Sequence, residues 1–551
     1  MRIVRSIVPF ALACAVTGPG QALPIAGSTD GLDPPATPRV SADPVAQALK
    51  ARLETGHGSP EIASPAIGPE TERKAALTAF YMGRGWKPVW TKGGQISQAG
   101  RLVILRLEAA AKDGLDPSDY PTPSLDLGKS WPVPAAEIAR SELMIARSVL
   151  RFADHAQAGR VRPSEVSSTI DLTPQRPDPL DVLRRVAGSS DPVAALAAFN
   201  PPHQGFRALR ERLAKLQETE ATSAVPVVPV PPGASLRPGE RDDRIVLLRA
   251  RLNVVARPGR ADRFDMDLRQ AVIAFQEAAG LKPDGVVGPR TIAALNAEMP
   301  AADRAGILAN MEMWRWAPRD FGAFHVAVNV PEYRLRIMRD GEAVHSTRIV
   351  VGKVRHKTPI FSDEMEHVVV NPYWNVPASI ARNELLPSIR ANPASYLHRR
   401  GYEVLYAGRR VNPAALSWDA RTIRQVRIRQ RPGRRNALGR VKFLFPNRHA
   451  VYLHDTPSRH LFDRPVRAYS HGCVRVQNPM EFADTLLTAD PKWSGRQVRS
   501  LLGAKERWVN LSRHIPVHIS YFTVWVNEAG KLHRAHDIYG HEAKVRSLLG
   551  L

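Results

Sequence analysis

Residues 224–240, AVPVVPVPPGASLRPGE, hold five prolines in 17 positions, and neither a helix nor a central strand can run through such a stretch. Each proline fixes φ, removes a backbone donor and restricts the residue before it, so the segment reads as an extended, semi-rigid spacer. It cuts the 551-residue chain into parts with different periodicity. Before it, residues 71–223 read as a helical scaffold: RLVILRLEAAAKDGLDPSDY is a helix closed at Asp113-Gly114, and SELMIARSVLRFADHAQAGRVRP puts Leu143, Ala146, Leu150 and Ala153 on one face. After it, residues 241–299 read as three short helices. Ile245, Leu248, Leu252 and Val255 mark the first. Leu268, Val272, Phe275 and Ala279 mark the second, with Gly280 ending it, and Pro289 opens the third after a turn at Asp284-Gly285.

From Gly322 the period becomes 2. FHVAVNV, YRLRIM, STRIVVG, EHVVVN and HAVYLH are strand-like runs separated by turns such as Asp340-Gly341. A mostly β domain over 322–526 follows, interrupted between NPYWNVP and VKFLF by a helical and irregular insertion at about 378–440. The insertion's tail, RTIRQVRIRQRPGRRNALGR, carries eight arginines in 20 residues. It reads either as a solvated edge strand, with Val426 and Ile428 inward and Arg427 and Arg429 outward, or as a basic lid over a carboxylate-rich substrate. A C-terminal extension fills 527–551. The expected class is multidomain α+β.

The N-terminus adds a compartment. MRIVRSIVPFALACAVTGPGQALP has Arg2 and Arg5 ahead of a short apolar run, then a small-x-small site ending at Ala22. This is the pattern of a secretory signal peptide over 1–22, too short to span a bilayer, followed by a flexible tether over 23–70. Lipidation at Cys14 is the alternative. Cleavage removes Cys14 and leaves Cys473 as the only thiol, which excludes a disulfide framework. The formal charge is +24, from 77 Lys and Arg against 53 Asp and Glu. With export, and without any nucleic-acid-binding signature, that charge favours an anionic extracytoplasmic polymer over nucleic acid. No other apolar run is long enough to cross a membrane, so an exported, periplasmic protein is expected.

The retained cysteine stands in AYSHGCVRVQNP, residues 468–479. A nucleophilic thiol needs a base, oxyanion donors and access, and a neighbouring imidazolium is the usual device for lowering its pKa. His471 is two residues away. His454, at the end of HAVYLH, comes alongside if the two segments pair as strands. Gly472 permits close approach, and consecutive amides from His471 to Cys473 offer an oxyanion hole. Asn478, Pro479 and Glu481 form a helix-start signal that fixes the end of the segment.

Two resemblances follow from these motifs. FDMDLRQAVIAFQEAAGLKPDGVVGPRTIAALN resembles peptidoglycan-binding domain 1. His454, fifteen intervening residues, then Ser470-His471-Gly472-Cys473-Val474-Arg475 resembles the signature of the L,D-transpeptidases with a YkuD-type catalytic domain. NPYWNVP, PGRRNALGRVKFLFPN, YLHDTP, FYMGRGWKPVW and DGLDPSDY resemble their large multidomain Gram-negative subgroup, in which the insertion is a capping subdomain. The resemblance implies Cys473 as nucleophile, His454 as general base, Arg475 with His471 and Gly472 in support, and Tyr452, Trp374 and Ser470 lining the pocket. Tyr452 and Trp374 serve equally well as core aromatics. It implies peptidoglycan stem peptides and glycan as partners, alongside cell-wall synthesis proteins, and 3→3 cross-linking through a thioester with release of D-Ala. No cofactor or metal is called for. Wall-to-lipoprotein attachment or cleavage, and L,D-carboxypeptidase activity, stay open on the same motif, while the intact Cys473, His454 and Arg475 argue against a non-catalytic anchoring role. Zinc bound by His449, His454, His460, His471 and Cys473 lacks the tight ligand spacing such sites use. The runs that mark sortases and papain-like enzymes are absent.

Overall fold

The computed structural model describes residues 43–55, 70–126, 132–222, 228–279, 281–297, 300–503 and 505–551. The expected leader, residues 23–42 and 56–69 of the expected tether, and Gly280 lie outside the described residues. Part of the expected tether is instead a helix, α1 (Pro44–Thr55). Its Leu49 and Leu53 bury beside Leu77 and Tyr81 of α2 (Glu70–Gly83) in a core shared with α3 (Gln98–Glu108), α4 (Ala135–Ala158) and α5 (Pro179–Gly188). Leu143, Ala146, Leu150 and Ala153 all face that core. A left-handed Gly114 closes the turn after α3, where the Asp113-Gly114 signal predicts it. α6 (Gln204–Thr222) completes the helical part.

The three-helix unit forms as read, from α7 (Arg244–Leu252), α8 (Met266–Ala278) and α9 (Pro289–Ala297). Val255 is the exception. Asn253 at φ 53° ends α7, and Val255 beyond it is 90% exposed. The later half of the proline-rich spacer belongs to this unit too. Val230 and Leu236 bury in its core, and the Asn296 amide exchanges hydrogen bonds of 3.0 and 2.9 Å with the Val230 backbone.

Helix α10 (Pro300–Arg315) couples scaffold to β domain. Its buried Glu312 accepts the amides of Arg160 and Val161 at 2.5 and 2.7 Å, while Asn310 holds the Thr523 amide at 2.9 Å. Buried backbone donors demand partners, and here one helix supplies acceptors to both sides.

The β domain is a closed sheet built from β1 (Phe324–Asn329), β2 (Arg334–Arg339), β3 (Glu342–Gly352), β4 (Phe361–Val370), β9 (Val441–Leu444), β10 (Leu453–His454), β11 (Ala468–Ser470), β12 (Val474–Val476) and β13 (Arg507–Ser520). The order is β11-β3-β12-β10-β9-β4-β13-β1-β2, and pairing of β2 with β3 closes the ring and removes the edge. Alternation drives it: in VKFL, Val441 and Phe443 are fully buried and the residues between them are not. HAVYLH contributes only Leu453 and His454, because Ala450 at φ 52° turns the chain just before them. The insertion has its own sheet, β5 (Trp374–Asn375), β6 (Tyr402–Tyr406), β7 (Arg409–Val411) and β8 (Val426–Gln430), in the order β5-β8-β6-β7. Val426 and Ile428 point inward as expected, but β8 is paired on both sides and is not an edge strand.

After β13 the short strands β14 (Val524–Val526) and β15 (Leu532–Arg534) pair with each other. The extension beyond them is no appendage, since Tyr539 and Val545, the latter on the final helix (His541–Leu549), bury in the barrel core.

Candidate active site

The Cys473 segment is a short bridge between two strands of the barrel. β11 runs parallel to β3, Gly472 turns the chain at φ 116°, and β12 runs antiparallel to the same β3. A side chain at 472 would be strained whatever space it had. Helix Pro479–Leu486 then begins after Asn478 and drives Phe482 and Leu486 into the core. Asn478 does not cap through an oxygen; its amide donates to the Glu481 carboxylate at 3.0 Å.

His454 reaches the site by strand pairing. β10 lies parallel to β12 with Leu453 opposite Val474 and His454 opposite Arg475, and the Val474 amide donates to Tyr452 O at 3.1 Å. The imidazole is buried, with Nδ1 2.5 Å from the Asp455 carbonyl. That bond assigns the proton to Nδ1 and leaves the Nε2 lone pair as the ring's acceptor. Burial, with the Arg475 charge adding to it, holds His454 down at about 3. Burial also pushes the Cys473 thiol up, against the opposing pull of Tyr452, Lys442 and Arg475. The resting pair is therefore neutral thiol and neutral imidazole. This corrects the expectation of an imidazolium lowering the thiol's pKa: desolvation disfavours both charged forms at once.

Tyr452 and Trp374 do come together. Tyr452 interacts with Cys473 and hydrogen-bonds Trp374, and its ring lies 5.6 Å from that of His454. Trp374 also packs against the insertion's core, so the two readings of that aromatic both hold. Arg475 is partly buried with its Nε lacking a partner.

Three expectations change. Ser470 does not line a pocket; it is buried, its hydroxyl donates to Cys473 O at 2.5 Å and it accepts the Gly472 amide at 3.1 Å. The same bond removes the Gly472 N–H from any oxyanion hole. His471 turns away from the sulfur and pairs through Nε2 with Glu384 Oε1 of the insertion at 2.5 Å, with the His356 ring 4.7 Å away.

Five partners escaped the sequence reading. Lys442, opposite His454 in the β9–β10 pair, holds its ammonium 4.3 Å from the Tyr452 ring centroid, and burial lowers its pKa. A lone cation in the apolar strand VKFLF was the available signal. Thr358 donates to Gly472 O at 2.8 Å and accepts the Gly352 amide, while Tyr539 from the C-terminal extension accepts the Thr358 amide at 3.1 Å and donates to Gly352 O at 2.6 Å. Asp171 of the helical part binds His449 Nε2 at 2.7 Å and Arg448, bracing the turn whose Ala450 carbonyl is 3.9 Å from Cys473 Sγ. Glu384 is the fifth. The Thr358, Tyr539 and Asp171 contacts cross more than a hundred residues of sequence and leave no local pattern. Among the described residues no group of three or more His, Cys, Asp or Glu is placed to hold a metal ion. His449 and His471, two of the ligands a zinc site would need, are each engaged by a carboxylate instead.

Three family models match separate parts of the chain. The L,D-transpeptidase catalytic domain matches residues 323–498, a peptidoglycan-binding domain matches 241–295, and a scaffold domain matches 75–213. A curated Haemophilus influenzae protein, provisionally named an L,D-transpeptidase, is 34% identical over 261 residues, covering 46% of this chain and 53% of its own length. The chain thus spans about half of that relative. Solved structures include L,D-transpeptidases from Xylanimonas cellulosilytica (18% identity, 52% of this chain and 99% of that one, TM-score 0.16) and Mycobacterium smegmatis (10%, 36% and 58%, TM-score 0.18). At those TM-scores neither carries an argument. Among the described residues no helix is long and apolar enough to cross a membrane.

Proposed function

We propose that this chain, whose residues 323–498 match the L,D-transpeptidase catalytic domain, is an exported enzyme that transfers the acyl group of a peptidoglycan stem peptide to an amine through a Cys473 thioester. The observation that carries the reading is the buried, neutral His454, its Nδ1 locked on the Asp455 carbonyl and its strand paired with the nucleophile segment.

The donor is a tetrapeptide stem. As Sγ attacks the carbonyl carbon of the third residue, the thiol proton passes to His454 Nε2, so no free thiolate has to persist in a site that disfavours it. The oxyanion of the tetrahedral intermediate falls among the Arg475 Nε–H, which lacks a partner, and the Tyr452 phenol, with Lys442 adding positive potential. His454 returns its proton to the departing D-Ala amine, leaving a thioester. The side-chain amine of another stem's third residue then attacks, giving up a proton to His454, and the thiol departs with a 3→3 cross-link formed. Water in place of the amine yields a tripeptide, so exclusion of water by the insertion decides the product. Attachment or cleavage of a wall-linked lipoprotein is the alternative that uses the same steps with a protein amine.

The test incubates the protein with purified disaccharide-tetrapeptide and reads the products by mass spectrometry. A dimer lacking one alanine, with fragmentation locating a 3→3 bond, is the expected result. Tripeptide monomer alone would replace transpeptidase with carboxypeptidase. Cys473→Ala is expected to abolish both products with the fold intact, and turnover in that variant would remove Cys473 as nucleophile.

A further inference from the structure

The insertion over 378–440 holds fourteen arginines, no lysine and three acidic residues. That excess of eleven positive charges is nearly half of the whole chain's +24. All three acids are occupied within the molecule. Glu403 is 7% exposed at its side chain and faces Arg410, Arg429 and Arg431 at 3.7, 2.9 and 3.0 Å. Glu384 holds His471, and Asp419 accepts the amides of Arg421 and Thr422 at the start of a helical turn. The insertion therefore neutralises one arginine group and leaves the rest.

Four of the remainder are gathered in one place. Arg399 and Arg400 end the helix Pro393–Arg399, and Arg434 and Arg435 lie in the turn after β8. Backbone bonds hold the two segments together. The Arg431 amide donates to Gly401 O at 2.9 Å, the Gln430 side chain donates to both Arg400 O and Arg435 O at 2.9 Å, and Arg435 itself donates to Arg399 O. All four side chains are exposed, and among the described residues none has a carboxylate within ion-pair distance. Like charges fixed side by side cost stability unless something anionic relieves them. Exclusive use of arginine points to planar, bidentate anions, which guanidinium matches and ammonium does not. The place also matters. From Arg435 the chain runs through buried Asn436, which ties down Pro372 O at 3.0 Å, to Gly439, where a side chain would collide with Asp455 Cγ at 2.3 Å. The cluster thus sits on the segment that returns to the wall behind His454.

We infer that Arg399, Arg400, Arg434 and Arg435 form a docking site for the free carboxylates of a peptidoglycan strand, separate from the 241–295 module and presenting a second strand to the active site. The inference rests on the proposed function for its choice of carboxylate polymer. The site adds no chemistry; it raises the local concentration of acceptor stems.

The test measures sedimentation of the full chain with insoluble peptidoglycan at low and high salt, using native sacculi and sacculi whose carboxylates have been converted to amides. Wild-type binding is expected to fall about 10-fold or more on amidation or at high salt. The combined Arg399→Gln, Arg400→Gln, Arg434→Gln, Arg435→Gln variant should bind native sacculi as weakly as wild type binds amidated ones, with the corresponding lysine set in between. Equal wild-type binding to native and amidated sacculi overturns the proposal, and needs no variant to fold. So does glutamine-set binding at the wild-type level, or wild-type binding to phosphate-headgroup vesicles with no response to amidation. Transfer from a soluble tetrapeptide to a small amine is read in parallel and should be unchanged in the glutamine set. Loss of that reaction in the wild type would count against the proposed function while leaving the binding result to stand.

Discussion

The nucleophile segment and the arginine-rich insertion face each other across one ion pair, His471–Glu384, and are built on opposite physics. Around Cys473 the backbone is fixed at nearly every residue. β3 pairs with the chain on both sides of the bridge, Ser470 and Thr358 take up polar groups at Gly472 and Cys473, and Tyr539 arrives from the far end of the chain to brace Thr358. The insertion has a small core of its own, and its exposed charges are almost all cationic. Burial makes geometry certain and suppresses charge. Exposure keeps charge available and leaves geometry to the partner. The proposed chemistry draws on the first region, and the proposed docking site on the second.

The sharpest way to break that contrast is His454→Ala. Removing the buried base on the strand paired with the one that follows Cys473 should slow thiol acylation about 10²–10⁴-fold, read by single-turnover mass spectrometry. Unchanged acylation would move the base to His471 and place the chemistry at the exposed interface. Lys442→Met comes next. It removes a buried cation that favours the thiolate, so the pH midpoint of Cys473 alkylation should rise and the acylation rate fall about 10-fold, roughly 1.4 kcal/mol. An unmoved alkylation profile would leave Lys442 as packing under Tyr452.

Buried histidines predict a pH effect on stability. His454 is held at about 3, and His203, His518 and His541 at about 4, in each case chiefly by burial. Their unfolded value is about 6.5, so between 6.5 and 4 the unfolded chain binds more protons than the folded one. The stability they contribute is present above pH 6.5 and is lost as pH falls towards 4. Thermal melts should show Tm dropping over that window, and a flat Tm would contradict it. The smallest effect is expected for Glu384→Gln. Loss of a partly exposed ion pair should cost at most about 1 kcal/mol and leave single-turnover acylation unchanged, while the ratio of hydrolysis to amine transfer rises as the insertion loosens. An unaltered ratio would show that the insertion is held by its other contacts.

The chain's primary structure was enough to place the period change near Gly322 and to set Cys473 and His454 apart as candidates, because each is a local pattern of residue types, whereas the proline-rich run it reads as a spacer buries Val230 and Leu236 in the following unit. It failed where the determining contact is distant. Val255 fits the helical spacing of Ile245 and Leu248, yet Asn253 in the left-handed region ends the helix first. Residues 44–55 look like tether because only packing against α4 gives Leu49 and Leu53 somewhere to bury. Ser470 and Gly472 sit inside the catalytic motif, but their hydrogen bonds make them frame rather than pocket. What sequence alone determined was which residue types carry reactive chemistry and where the hydrophobic period changes, since φ restriction, hydrophobic period and side-chain chemistry act over a few residues. Only the tertiary structure decided the protonation of the Cys473–His454 pair, the bracing by Asp171, Thr358 and Tyr539, and the gathering of arginines on the insertion, because burial and charge density are properties of segments brought together from far apart in the chain.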